Sequence, residues 1–184
     1  MNRFHNQSSL SLFAVAKIYH NLHYFQYICE IKINQITPMQ EALDFLEKNK
    51  DVAFATVSAD ARPMVRAFQI MKVSGTTLYF ATSSAKQVYK ELQLNPAIEL
   101  LALMDNISVR AGGDASFDVS DDVQQEIYDN NPVLQRLYPD YRALTYFSME
   151  IDHLDYYDLT PTPPILRHYD KATGQYQDLD PYRK

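Results

Sequence analysis

The chain carries one cysteine, Cys29, in 184 residues. No disulfide can form within it, so nothing requires an oxidising compartment and a cytoplasmic setting is expected. A zinc site made of four cysteines, or of two cysteines and two histidines, is excluded within one chain. Basic residues are short too: 17 Lys and Arg stand against 23 Asp and Glu, a net charge of −6. A nucleic-acid surface needs a basic face, and this balance argues against one while leaving room for a local anion pocket. Runs of about 18 apolar residues are missing, so no spanning helix is expected. The short apolar run from Leu10 to Ala16 meets Lys17, His20 and His23 at once, which is a poor signal-peptide pattern. Tryptophan is absent altogether.

What is present suits a single soluble domain, with 46% hydrophobic and 22% charged residues. Residues 1–37 read as an extension outside the fold, with an ordinary packed helix as the alternative. Thr37-Pro38 followed by Gln40 has the form of a capping box with proline at the first helical position. Met39, Ala42, Leu43 and Leu46 then repeat with helical spacing. The domain is expected over 38–160.

Strands are expected over Val52–Val57, Met64–Val73, Leu78–Thr82, Ala97–Met104, Ile107–Val119, Leu144–Ile151 and His153–Leu159. Turn signals over Ser58–Pro63 and at Ser74-Gly75 and Asp105-Asn106 make neighbours antiparallel. Gly112-Gly113 marks a bulge or a corner inside one strand. Helices are expected after Ser83-Ser84, after Ser120 and after Asn131. Six or seven antiparallel strands with flanking helices suggest a small barrel. Residues 161–184, polar and proline-bearing, read as an arm or frayed tail.

Two charged residues sit where local stability does not favour them. Arg66 lies mid-strand among Met64, Phe68 and Ile70, and so needs a partner. Lys86 lies in the first turn of a helix, against the helix dipole. Ser83 and Ser84 add hydroxyls beside it. An anion at the helix N-terminus would justify this grouping, and the guanidinium fork of Arg66 suits phosphate. The alternatives are a solvated Lys86 behind a serine cap, and a structural ion pair between Arg66 and a carboxylate. Gln69, on the opposite parity, is placed to bond a ring edge or water. His20 and His23 lack a third ligand, and His153 and Tyr156-Tyr157 read as core and edge positions.

The run Arg62-Pro63-Met64-Val65-Arg66-Ala67-Phe68, then Leu78 to Leu92 with Ser83-Ser84-Ala85-Lys86, then Asn95-Pro96, resembles the FMN-binding split barrel of the pyridoxamine 5′-phosphate oxidase-like family. Val109 to Ala115 resembles that family's next strand and glycine turn. The resemblance covers about Met39 to Leu159 and implies a split antiparallel β-barrel. It implies a homodimer with FMN at the subunit interface, and a small-molecule substrate or nicotinamide electron donor. Arg66, Ser83 and Lys86 would hold the phosphate, with Thr82 and Ser84 close by. Ala67, Phe68 and Gln69 would line the ring, and Ser108 would lie near the cofactor. The missing tryptophan departs from the C-terminal motif of true pyridoxamine phosphate oxidases and points to a general flavoprotein reductase or oxidase. The rival reading is a non-enzymatic barrel carrying flavin or haem.

Overall fold

The computed structural model describes residues 39–182. The proposed cap at Thr37-Pro38, the extension over 1–37 and the His20/His23 pair lie outside them. Helix α1 (39–48) buries Ala42, Leu43 and Leu46, the positions its apolar spacing marks.

Ten strands follow: β1 (Asp51–Val57), β2 (Pro63–Gln69), β3 (Lys72–Ser74), β4 (Thr77–Thr82), β5 (Ala97–Met104), β6 (Ile107–Ser116), β7 (Thr145–Glu150), β8 (His153–Asp158), β9 (Ile165–Asp170) and β10 (Gln175–Leu179). Helices α2 (Gln87–Leu94), α3 (Asp121–Asp129) and α4 (Pro132–Leu137) and a 3-10 turn (Tyr141–Ala143) complete the domain. Every strand pairing is antiparallel.

The pairings close a circuit. β2 pairs β1, β1 pairs β5, β5 pairs β6, β6 pairs β7, β7 pairs β4 and β4 pairs β3. β3 continues β2 in the chain, so the circuit is a barrel of six strand positions. The seam is the junction at Ile70-Met71, where one expected strand becomes two. Its first half lies against β1 and its second half against β4. The barrel is therefore split at that point, as the fold class anticipates.

β6 turns the opposite corner. Over Ile107–Gly112 it pairs β8, and at Ala115-Ser116 it pairs β7. The change of partner falls at Gly112-Gly113, where the sequence marks a corner. The tail beyond Pro161 differs from the expectation of a frayed arm. β9 and β10 form a hairpin on the outer edge of β8. The alternation that would announce these strands is weak, because most of their residues are polar and half-exposed. The count of ten follows: seven expected, one broken in two, and two more in the tail.

The barrel interior is aromatic. Phe54 stacks on Phe68 at 4.7 Å and Phe80 on Phe147 at 5.0 Å, with Phe54 edge-on to Phe80 at 5.3 Å. Such pairs contribute about 1 kcal/mol each beyond the area they bury. A second, smaller core of Ile127, Leu134, Tyr141, Leu144 and Tyr146 holds α3 and α4 against the outside of β4 and β7. α3 opens with Asp121 and Asp122 in its first turn, and Asn131 caps α4 by accepting from the N–H groups of Val133 and Leu134; both starts agree with the sequence reading.

Candidate functional site

Arg66 points inward from β2, on the same side as Phe54, its ladder partner in β1. There it meets α2. Its Nη2 donates to Oε2 of Glu91 at 2.7 Å and its Nη1 donates to Oγ1 of Thr56 at 2.7 Å. Thr56 in turn donates to the same Glu91 oxygen at 2.5 Å. Glu91 is 1% exposed and Thr56 3%. Of the two explanations for a charged residue on this strand, the carboxylate ion pair is realised. Sequence reasoning missed Glu91, although Val88, Glu91 and Leu92 share the buried face of α2 at positions i, i+3 and i+4. A carboxylate on an otherwise apolar helix face is the signal that was available.

The pair leaves Arg66 with capacity to spare. A guanidinium has five N–H donors, and two are used. The side chain keeps 24% of its surface exposed, so a further acceptor can reach it.

Lys86 lies 20 residues on and is exposed. Among the described residues it has no carboxylate partner. The helix begins later than expected: Lys86 is the N-cap residue of α2, and no side chain caps the helix. Ser83 and Ser84 belong instead to a turn ahead of it. Ser83 accepts from the N–H of Ala85 at 3.3 Å through its hydroxyl, and from the N–H of Lys86 at 2.9 Å through its carbonyl. Ser84 is exposed. Thr82 ends β4 with its hydroxyl buried and without a hydrogen-bond partner among the described residues. An uncapped helix N-terminus, a free lysine and two serines form an anion-accepting corner.

The spacing of β2 and β4 corrects one expectation. β4 pairs β3 over Thr77–Tyr79, the ladder ending at Tyr79 opposite Lys72, with Met71 N–H donating to Tyr79 O at 2.8 Å. The Arg66 segment therefore does not lie in a ladder beside Leu78–Thr82, because the chain leaves β4 at Ile70-Met71. α2 supplies the link between Arg66 and the Lys86 corner, through Glu91.

The remaining predicted residues divide by face. Ala67 and Gln69 point outward and are exposed, whereas Phe68 points inward and is half-buried. Gln69 donates to Oδ1 of Asp51 at 3.0 Å. One ligand cannot meet all three side chains on the same face, but it can meet the backbone. Among the described residues β2 pairs only with β1, which leaves its other edge without a strand there. Ser108 lies on β6, between Leu103 and Tyr157. β5 and β1 stand between it and β2, about 14 Å at ordinary strand spacing. Within one chain, Ser108 is apart from the group around Arg66.

A second polar feature went unread in the sequence. His153 on β8 and Glu99 on β5 both face outward and meet over β6, with Nε2 and Oε1 2.6 Å apart. Gly112 lies beneath them; a Cβ there would be 2.3 Å from Cε1 of His153 and 2.9 Å from Oε1 of Glu99. The pair borders a cavity of about 390 Å³ lined also by Ala55, Val57, Pro63 and Asp114. The missing side chain at Gly112 was the available signal, and the sequence reading used it only as a corner. Among the described residues no group of three or more His, Cys, Asp or Glu is placed to hold a metal ion. No helix there is long and apolar enough to cross a membrane.

Comparison with known proteins adds to this geometry. The family profile described as pyridoxamine 5′-phosphate oxidase matches residues 38–157. No curated protein sequence matches. Among solved structures, a pyridoxamine 5′-phosphate oxidase-related, FMN-binding protein from Nostoc punctiforme is similar at 16% identity and a TM-score of 0.59, over 79% of this chain and 96% of that one. A protein related to general stress protein 26, of the pyridoxinephosphate oxidase family, from Clostridium acetobutylicum, has 16% identity and a TM-score of 0.59 over 73% and 95%. PhzG from Burkholderia lata, in complex with tetrahydrophenazine-1-carboxylic acid, has 13% identity and a TM-score of 0.63 over 79% and 92%.

Proposed function

We propose, from the premise that the chain belongs to the pyridoxamine 5′-phosphate oxidase family, that it is an FMN-dependent oxidoreductase acting on a small molecule. The carrying observation is the corner at the start of α2. Lys86 stands there exposed and, among the described residues, unpaired beside Ser83 and Ser84, on a helix that no side chain caps. A lysine in that position costs the helix stability unless an anion meets it. The terminal phosphate of FMN is an anion of the right kind, and the fold is shared with an FMN-binding protein from Nostoc punctiforme.

The residues fit the group. Among the described residues Arg66 keeps three N–H donors, and the buried hydroxyl of Thr82 lacks a partner. The open edge of β2 offers backbone groups of Ala67, Phe68 and Gln69 to a flat ring, with Phe68 on the barrel side. The flavin, when bound, supplies the electron and hydride transfer that this set of side chains does not. The protein's share is to bind the phosphate, orient the ring and admit the reductant, for which a nicotinamide is the first choice.

We place the working unit as a homodimer. The outward faces of β2, β1 and β5 carry Val65, Ala67, Ala53, Ala55, Leu101 and Leu103, with Val65 67% and Leu103 65% exposed. An apolar sheet face of this kind is the usual signature of an interface. A second chain over it would also explain how Ser108, remote from Arg66 in one chain, could serve the same flavin.

The test is a visible spectrum of the purified protein followed by fluorescence titration with FMN and with riboflavin. Flavin bands, tighter binding of FMN than of riboflavin, and loss of that difference in Lys86→Ala are expected. Anaerobic bleaching by NADH or NADPH would then assign the reductase step. A protein that binds neither flavin refutes the reading; a Soret band would transfer the barrel to the haem-carrying alternative.

A further inference from the structure

The contacts around Arg66 are unusual in one respect. A glutamate facing an arginine ordinarily takes two parallel hydrogen bonds, one to each oxygen. Glu91 does not. Both donors that reach it, Nη2 of Arg66 and the hydroxyl of Thr56, converge on Oε2. Its Oε1 is buried and has no partner among the described residues. The second amino group of Arg66 is diverted: Nη1 donates to Thr56 instead. The three groups thus form a closed ring, Arg66 to Glu91, Thr56 to Glu91, and Arg66 to Thr56. A hydroxyl has one proton and two lone pairs, so Thr56 can complete that ring by accepting from one side and donating to the other.

From this geometry we infer that Thr56 and Glu91 are positioning residues for a phosphate-binding Arg66. Thr56 keeps the Arg66–Glu91 pair half-engaged, so that the guanidinium is fixed from inside while its remaining N–H groups stay available to an incoming anion. The inference rests on the reading of the α2 corner as a phosphate site. Without the Thr56 hydroxyl, Nη1 is free to swing to the empty Oε1. The pair would then close into the ordinary two-bond fork. Arg66 would be more fully satisfied by its own chain and turned away from the ligand. The orphaned oxygen is the observation that carries the inference: a buried carboxylate oxygen left empty beside an arginine indicates that something holds the arginine off.

The two sides of the ring make separable demands. Thr56 acts through its hydroxyl, and serine supplies the same group, whereas valine has the same shape without it. Thr56→Val and Thr56→Ser therefore test orientation at nearly constant packing. The full chain is titrated with FMN and with riboflavin, which differ by the phosphate alone. Thr56→Val is expected to weaken FMN binding about tenfold while riboflavin binding holds within about twofold, since only the charge-assisted phosphate contact is lost. Thr56→Ser is expected to retain wild-type affinity for both. A second measurement does not involve flavin. The Nε–H signal of Arg66 in a ¹⁵N spectrum of the free protein should shift in Thr56→Val and hold its position in Thr56→Ser.

Equal FMN affinity in wild type and a folded Thr56→Val would overturn the inference, as would a parallel fall in FMN and riboflavin affinity, which marks a merely structural role. Lys86→Ala separates this from failure of the underlying reading. If Lys86→Ala abolishes the preference for FMN but Thr56→Val leaves it intact, the phosphate site stands and the role of Thr56 falls. If neither variant changes the preference, the phosphate site itself falls.

Discussion

The carbonyl oxygen of Glu150 occupies the space in which a side chain on Gly113 would begin. A Cβ at Gly113 would lie 2.2 Å from that oxygen and 3.1 Å from Cγ of Met149. This is where β6 exchanges β8 for β7 as its partner, so the barrel corner depends on close approach of two backbones.

Gly113→Ala should accordingly destabilise the domain by about 3 kcal/mol, because backbone rather than a side-chain end must move. Gly112→Ala meets the imidazole of His153 and the carboxylate of Glu99. Both are ends of side chains that can rotate, so the loss should be about 1 kcal/mol, with the His153–Glu99 contact broken. Urea denaturation of the two variants measures the difference. A Gly112 variant as unstable as the Gly113 variant would contradict this account of the corner.

These two glycines also show what a sequence can and cannot say. Gly112-Gly113 announced a corner because two glycines inside a strand are costly without one. The seven β-rich runs gave the barrel, and the spacing of Ala42, Leu43 and Leu46 gave the covering helix. Three things were hidden. The break at Ile70-Met71 has no glycine or proline, since a strand that passes from one sheet to the other here remains apolar throughout. The hairpin of β9 and β10 lacks alternation because it lies on an outer edge and buries little. The partner of Arg66 stands 25 residues away on a helix, and only the apolar company of Glu91 hinted at it. The serines before Lys86 looked like a helix cap, but they fold as a turn ahead of the helix; a turn and a cap use the same residue types.

Asp155 governs acid behaviour on the outer sheet. Burial favours its neutral form, but hydrogen bonds from His168 and Arg110, with their charges, outweigh burial and hold its carboxyl below the usual range. The folded state therefore binds this proton less readily than the unfolded chain. The stabilisation is present above the unfolded value of about 4 and is lost as pH falls through the lower folded value. Arg110 is half-exposed, so solvent screens it and the contribution should be about 1 kcal/mol. Asp155→Asn should lose that amount at pH 7 and differ little from wild type near pH 2. Denaturant unfolding at both values decides it; an equal loss at both would show that the charge is not involved.

Tyr146 offers the opposite sign. Its ring belongs to the second core, yet its hydroxyl is buried and has no hydrogen-bond partner among the described residues. Burial, then the nearby Tyr128, Asp129 and Asp140, push its phenol up to about 12 from 10.0. The unfolded chain releases this proton first, so stability falls as pH rises across that interval. Tyr146→Phe removes an unsatisfied group without changing the ring. It should leave the protein as stable at pH 7 or more stable by about 1 kcal/mol. Above pH 10 the variant should lose stability less steeply than wild type. Thermal melts from pH 7 to 11 measure both effects, and a destabilised variant at pH 7 would mean that the hydroxyl has a partner in solution.

Leu103 tests the apolar face proposed as the dimer interface. It stands 65% exposed on β5, one ladder step from Ser108 on β6. A lone exposed leucine needs no explanation, but Val65 and Leu101 on the same outward face are exposed as well. Covering such a face with a second copy removes each large side chain from water, a gain of about 1.5 kcal/mol or more apiece. Leu103→Asp places a charge there, where an unpaired carboxylate resists burial. Light scattering should give wild type at twice the 21.3 kDa chain mass. The variant should shift to monomer with at least about a tenfold weaker dimer, a penalty of about 1.4 kcal/mol or more. The variant monomer should still fold, because the position is exposed in the single chain, and its melting temperature should fall only by the contribution of dimerisation. If the flavin draws on both copies, FMN retention should fall with the dimer. Wild type at the mass of one chain would remove the interface and leave Ser108 with no route to the flavin.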